Sequence, residues 1–152
     1  MAIPTTGRIL GVDWGERRIG LAVCDETQLI ASPLDTLTRR AGKRFPMPAF
    51  LEHVTALRPV GIMVGLPLDP SGAEGDAARE ARALAAELGG RTYLPVEMWD
   101  ERMSTARALA AIREQGGSTR NRREDVDALA AVVTLQHFLE SRRGRTTAPS
   151  QP

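Results

Sequence analysis

The chain has one cysteine, Cys24, and so cannot close a disulfide within itself, which fits a reducing cytosol. It has no stretch of about 18 apolar residues, and its opening MAIPTTGR lacks the apolar region of a secretory signal. Neither a membrane span nor export is expected, and the expected location is cytoplasmic. An excess of one charge is missing as well. Twenty Lys and Arg stand against 19 Asp and Glu, a net charge of +1, so any attraction to nucleic acid has to come from local clustering. No His or Cys cluster offers a metal site; His53 and His137 fall on helical segments and read as packed or exposed side chains. No internal repeat or linker divides the 152 residues, a length suited to one domain with one core. Residues 7–143 are expected to form it, with 1–6 and 144–152 (GRTTAPSQP) as flexible ends.

The clustering is present. Arg17 and Arg18; Arg39, Arg40, Lys43 and Arg44; Arg120, Arg122 and Arg123; and Arg142, Arg143 and Arg145 form four basic groups. Biased coding that scatters arginine over solvated faces accounts for them equally well.

Three short β-rich runs, 8–13, 19–25 and 29–37, lie close enough to pair as an antiparallel meander. Elements then alternate: a helix over 48–57, a strand over 60–65, a helix over 75–88, a strand over 92–98, and helices over 104–115 and 125–142. Arg58-Pro59, Gly89-Gly90 and Gly116-Gly117 mark the helix exits, since Pro cannot continue a helix and Gly tolerates the left-handed cap. The pattern predicts an α/β domain with a mixed five-stranded sheet, antiparallel over its first three strands and parallel thereafter, with helices on both faces.

Within ILGVDWGERRIGLAVCDE, Asp13 directly follows the apolar run Ile9-Leu10-Gly11-Val12. The first strand of such a topology is central, and open α/β sheets bind ligands at the carboxyl ends of their strands. A buried carboxylate without a partner costs several kcal/mol, so Asp13 needs hydrogen bonds, a cation or a metal. A turn Asp bonded to the amides of Gly15 and Glu16, or paired with Arg17 or Arg18, is the simpler account of this residue alone. Two further acid sites change the balance. The strand TYLPVEM ends at Trp99-Asp100-Glu101-Arg102, and the last helix is expected to open at REDVDALAAVV with Asp127 in its first turn. Ala130 and Ala131, three and four residues on, share the face of Asp127 and allow a close approach to a strand. Taken singly, Asp127 reads as an acid favoured by the helix dipole and Asp100-Glu101 as a surface pair neutralised by Arg102. Three acid sites at one sheet edge would repel unless cations neutralise them. All-oxygen ligands suit Mg²⁺ or Mn²⁺, and two such ions about 3.5–4 Å apart hydrolyse phosphodiesters.

Four segments in this order, GVDWGERRIGLAVCD, VGLPLDPSGAEG, DERMSTARA and DVDALAAVVTLQHFL, resemble the YqgF family, also called RuvX, of pre-16S rRNA nucleases and Holliday junction resolvase-like proteins. The resemblance spans roughly residues 7 to 141 and departs at Trp14, where the family usually carries Tyr or another aromatic. It implies a ribonuclease H-like fold and metal-dependent phosphodiester cleavage, in processing of the 5′ end of pre-16S rRNA, in Holliday junction resolution, or both. It also implies catalytic and metal-binding roles for Asp13, an acid of the Asp100-Glu101-Arg102 triplet, and Asp127. Glu101 is the expected second ligand because its longer side chain reaches inward, with Asp100 as its rival. The expected arrangement has Asp13 bridging two Mg²⁺ or Mn²⁺ ions, with Glu101 and Asp127 each completing one coordination sphere. Arg17, Arg18 and Arg102 flank this centre as nucleic-acid-binding candidates. The RRAGKRFPMP segment, the NRRE approach to the last helix, and the loop Gly65 to Gly72 before a helix N-terminus are further contact candidates.

Other readings stay in view. GVDWG also resembles the phosphate loop of the actin and sugar-kinase superfamily, but those enzymes close two such domains around the nucleotide. Gly11, Gly15 and Gly20 lack the G-x-G-x-x-G spacing of a dinucleotide fold. A non-catalytic nucleic-acid-binding ribosome-assembly factor on the same scaffold is the remaining alternative. The expected partner is structured RNA or branched DNA, and junction resolution would call for a homodimer with two symmetric sites.

Overall fold

The computed structural model describes residues 2–15, 17–39, 45–68, 71–100 and 120–147, with side chains of the last segment described over 128–143. The elements are β1 (Ile9–Asp13), β2 (Arg18–Cys24), β3 (Ala31–Thr38), α1 (Met47–Leu57), β4 (Gly61–Leu66), α2 (Asp76–Thr92), β5 (Val96–Asp100) and α3 (Arg120–Thr147). The helix expected over 104–115 and the exit at Gly116-Gly117 lie outside the described residues.

The five strands form one sheet in the order β3-β2-β1-β4-β5. β1 pairs antiparallel with β2, and β2 with β3, whereas β1–β4 and β4–β5 are parallel. This is the expected mixed sheet, with β1 at its centre. Strand alternation divides the core into two layers. Leu10, Val12, Ile62 and Val64 pack with Phe50 of α1 and Leu84 and Leu88 of α2. On the opposite face Ile9, Ala22 and Met63 meet Ala131, Leu135 and Phe138 of α3. Helices therefore cover both faces, as the pattern predicts.

α3 approaches β1 closely because residue 11 has no side chain. A Cβ built on Gly11 would lie 3.1 Å from Leu135 Cβ and 3.3 Å from Met63 Cε. The far end of the helix is fastened by hydrogen bonds. Arg142 Nη2 donates to the carbonyls of Ile3 (3.0 Å) and Pro4 (2.9 Å), Arg142 Nη1 pairs with Glu97 at 3.4 Å, and Arg143 Nη1 donates to Gln28 O at 3.1 Å. Gln136 accepts from Ala31 N and donates to Leu29 O, both at 2.9 Å.

These contacts correct three expectations. Residues 1–6 are not uniformly loose: Ile3 is buried in the α3-side core, where Gly61 gives it room, and its carbonyl is held by Arg142. Helical backbone also runs on to Thr147, into the segment read as a flexible tail. And Gly89-Gly90 does not end α2, which continues to Thr92 with Tyr93 as the left-handed cap, φ 60°, its N–H bonded to Gly89 O at 2.9 Å. Each Gly weakens a helix interior by about 1 kcal/mol. Here the helix holds through them because Leu88 is fully buried in the core and Thr92 Oγ1 donates to Leu88 O at 2.7 Å. β5 is accordingly displaced from the expected 92–98 to 96–100. By contrast α1 ends at Leu57, with Arg58 left-handed at φ 48° ahead of Pro59, at the expected exit.

The β2–β3 turn is organised by Asp25, whose Oδ1 accepts from Leu29 N and Ile30 N, each at 2.9 Å, while Thr27 Oγ1 donates to Oδ2. Those donors hold the Asp25 carboxyl down at about 2, the Ile30 amide contributing most.

Candidate functional site

Asp13 is the last residue of β1 and is 7% exposed. It stands where the central strand emerges, and by alternation it shares the face of Ile9 and Gly11, the face covered by α3. A turn follows at once. A Cβ on Gly15 would come within 2.1 Å of the carbonyl of Arg18, so only glycine lets the chain fold back so tightly behind the acid.

The register of the sheet places the other candidates. Asp13 pairs with Gly20 of β2, so Gly20 and, by alternation, Arg18 share its face. Arg17 falls on the opposite face and is exposed. Val12 aligns with Val64, and Gly65 with Trp99, which sets Trp99 level with Asp13 two strands away. In β5, Glu97 bonds to Arg142 of α3 and Trp99 stacks edge-on against Phe138, 5.8 Å between centroids. Both therefore face α3, whereas Met98 faces α1 and α2. Asp100, in step with Met98, belongs to the face opposite Asp13. Glu101 and Arg102 lie outside the described residues.

α3 begins at Arg120, so Asp127 sits two turns inside the helix and not in its first turn; the expected start at 125 is corrected. No strong helix breaker lies in RNRRED, and the helix extends back through it. Position 127 lies on the stripe of Ala131 and Leu135, at spacings of four residues, and both of these are buried against the sheet. Leu135 rests on Gly11 while Arg142 reaches Ile3 ahead of β1, so α3 runs antiparallel to β1. With about 1.5 Å rise per helical residue and about 3.3 Å per strand residue, Ala131 comes level with Asp13. Position 127 lies about 6 Å further, past the carboxyl end of the strand.

Asp13 is thus a described corner of the expected acid cluster. Among the described residues no group of three or more His, Cys, Asp or Glu side chains comes together. Both histidines stay outside the site: His53 of α1 bonds Asp35 of β3 at 2.8 Å, and His137 lies in the second half of α3. Cys24 is no nucleophile, since burial pushes its thiol up and Ile9 N bonds its Sγ at 3.1 Å. Of the basic groups, Arg142 and Arg143 are engaged with backbone carbonyls. Arg40, Lys43 and Arg44 lie outside the described residues. The loop toward α2 carries a bridge from Leu68 to Glu74, and Glu74 is forked by Arg82 at 2.8 and 2.6 Å.

One arrangement escaped sequence reading. Arg39, just beyond β3, lies over the Trp14 ring at 4.5 Å, and Trp14 Nε1 donates to Glu80 Oε2 of α2 at 3.3 Å. Arg39 was visible as a member of a basic cluster, but no local spacing ties it to Trp14. The different faces of Arg17 and Arg18, in contrast, follow from the period of two along β2.

The family model RuvX, described as Holliday junction resolvase, matches residues 7–141. The chain belongs to the RuvX family. A relative from Koribacter versatilis named "Putative pre-16S rRNA nuclease" is 45% identical over 136 residues, 90% of this chain and 88% of the relative. Among solved structures, Thermus thermophilus RuvC in complex with a Holliday junction substrate aligns with TM-score 0.54 at 19% identity, over 90% of this chain and 96% of that one. A yeast mitochondrial Holliday junction resolvase aligns with TM-score 0.57 at 11% identity, over 97% and 83%. At these identities the likeness is one of fold, and the fold is ribonuclease H-like. No described helix is long and apolar enough to cross a membrane.

Proposed function

We propose that this chain is a metal-dependent endonuclease of the cytoplasm that cuts phosphodiester bonds in structured nucleic acid: the 5′ region of pre-16S rRNA, a four-way DNA junction, or both. That it is a nuclease, a hydrolase of nucleic-acid ester bonds, follows from its family. The finer reading is carried by one observation. A buried carboxylate, Asp13, ends the central strand on the face where α3 carries position 127 past the sheet edge.

Asp13, Glu101 and Asp127 would hold the metal. The alternation of β5 puts Asp100 on the face opposite Asp13, which favours Glu101 as the second ligand. An all-carboxylate donor set beside a buried strand end fits Mg²⁺ or Mn²⁺ and offers nothing to softer ions. Bound there, such ions supply an activated water and neutralise charge on the departing 3′ oxygen. The chain's own side chains do the rest. Burial of Asp13 excludes bulk water from its carboxylate and fixes its direction. Position 18 shares the face of Asp13, Arg17 is exposed on the other side of the rim, and Arg102 follows the second acid in sequence; these arginines would be the contacts for backbone phosphates. Resolution of a junction requires two cuts related by symmetry, so that activity would be performed by a homodimer.

The test is cleavage of a four-way DNA junction and of a precursor 16S rRNA fragment, side by side, with Mg²⁺, with Mn²⁺ and with chelator. Asp13→Asn and Asp127→Asn should each abolish metal-dependent product while the mass of the assembly is recorded. Folded variants that cut like the unmodified chain would falsify the site. Tight binding without cutting at any metal concentration would make the protein an assembly factor instead.

A further inference from the structure

We infer that Arg39, mounted on Trp14, is a phosphate-binding arginine that grips the nucleic-acid backbone on the β3 side of the cut. This rests on the nuclease reading of the same sheet edge and adds to it a residue and a direction.

The placement follows from the register. Arg18 pairs with Thr38, and Arg39 N donates to Arg17 O at 2.8 Å, so the ladder of β2 and β3 continues one step past the end of β3. Arg39 therefore stands on the same rim as Asp13, two strands outward, its backbone about 10 Å away for two strand spacings. With Arg17 and Trp14 it lies on the opposite face of the sheet, so a nucleic-acid backbone reaching both Asp13 and Arg39 would cross the rim. Such a span is covered by a few nucleotides of one strand.

The guanidinium is held for binding and is left unsatisfied. Its plane is supported by the Trp14 ring at 4.5 Å, and that ring is anchored by Glu80. Nε and Nη1 of Arg39 are shielded from water and meet no hydrogen-bond acceptor among the described residues. Structural arginines of this chain are engaged differently: Arg142 leaves its Nε unmet but reaches two carbonyls and Glu97 through its other nitrogens, and Arg82 forks Glu74, whereas Arg39 meets no acceptor among the described residues. Two sealed donors without acceptors are destabilising, so the stack on Trp14 holds the guanidinium in place against that cost and leaves Nη2, which is not sealed, as the nitrogen an outside acceptor can meet. Arg39 is only half-buried, so an anionic oxygen can reach Nη2 from the rim while Nε and Nη1 stay sealed. A phosphate suits the planar, multi-donor guanidinium better than any neutral acceptor. Arg17 beside it adds positive charge, so a polyanion is favoured over an isolated anion.

The experiment uses the full chain carrying Asp13→Asn, so that substrate persists, and follows anisotropy of a labelled four-way DNA junction and a labelled precursor 16S rRNA fragment across a salt series. Arg39→Gln keeps a stem to cover Trp14 but removes the charge. It should weaken binding by roughly tenfold, equally for different sequences, and lower the slope of log affinity against log salt by about 1. Arg39→Lys should keep the slope and recover part of the affinity, because its charge remains without the stacked plane. An unchanged slope and affinity in folded Arg39→Gln would overturn the inference, as would a lower thermal midpoint with normal binding, the mark of a merely structural lid. A change of sequence preference at constant slope would assign Trp14 and Arg39 to base contact and equally overturn it. Cleavage by the unmodified chain is read separately. No cutting of either substrate, with an Arg39-dependent slope, removes the nuclease reading and keeps the phosphate grip. Cutting with a slope indifferent to Arg39 does the reverse.

Discussion

Gly11 of β1 and Leu135 of α3 touch with no side chain between the strand backbone and the leucine: a methyl group at position 11 would sit 3.1 Å from Leu135 Cβ. This contact sets how near the only described helix on that face lies to the strand that ends in Asp13.

Gly11→Ala should therefore lift α3 from the sheet. We expect a loss of about 1–3 kcal/mol in urea unfolding, typical of overpacking, and a larger one for Gly11→Val. Cleavage should fall in the folded fraction too, because the lift separates positions 13 and 127. A Gly11→Ala protein of undiminished stability would show that α3 is not seated on β1 in this way.

The two acids at the end of β5 should separate cleanly. Glu101→Gln is expected to lower turnover by roughly two orders of magnitude or more, as loss of a metal ligand does. Asp100→Asn, on the opposite face by alternation, should stay within about tenfold of the parent. The reverse ranking would place the second ligand at Asp100.

Metal binding has a readout independent of cutting. Mg²⁺ or Mn²⁺ at 100 times its dissociation constant should stabilise the fold by about 2.7 kcal/mol, measured as a rise in thermal midpoint. Asp13→Asn and Asp127→Asn should each abolish the rise, and chelator should reverse it in the parent.

Acid should loosen the β2–β3 turn. Asp25 has its carboxyl lowered from 3.8 to about 2 by the amides of Ile30 and Leu29 and the hydroxyl of Thr27. Its folded value is below its unfolded one, so its contribution is present above about pH 4 and is lost as pH falls toward 2. Amide exchange at Leu29 and Ile30 should accelerate over that window. In Asp25→Asn it should be fast throughout and indifferent to pH in this respect.

Arg142 should matter to stability more than its place in a basic run suggests. Its head group serves Ile3 O, Pro4 O and Glu97 in a setting 14% exposed, and Arg142→Ala leaves those acceptors unmet. A loss of about 1–3 kcal/mol is expected in chemical unfolding, against less than about 0.5 kcal/mol for an exposed arginine such as Arg91.

The strand pattern, the central place of β1 and the exit of α1 at Arg58-Pro59 were legible because each depends on short-range periodicity or on a residue that cannot continue a helix. The end of α2 was not: Gly89-Gly90 looks like a stop locally, and the helix runs on to Thr92 beside Leu88, which is buried in a core with Leu10 and Ile62, distant in sequence. The start of α3 was misjudged for a related reason, since Asp125 is a good cap by composition while the helix already runs through RNRRED. Asp13 was legible as a misplaced carboxylate in an apolar run. The roles of Arg142 and Arg39 were not, because whether an arginine is spent on carbonyls or stacked on an indole depends on what the fold brings to it.

The two ends of α3 serve different purposes. Its C-terminal half is fastened by Arg142, Arg143 and Gln136 to the chain around β1, β2 and β3, and that fastening fixes the height at which the N-terminal half carries position 127 past the sheet. Releasing the clamp at Arg142, about 22 Å down the helix axis, should be felt as weaker metal affinity without any ligand having been touched.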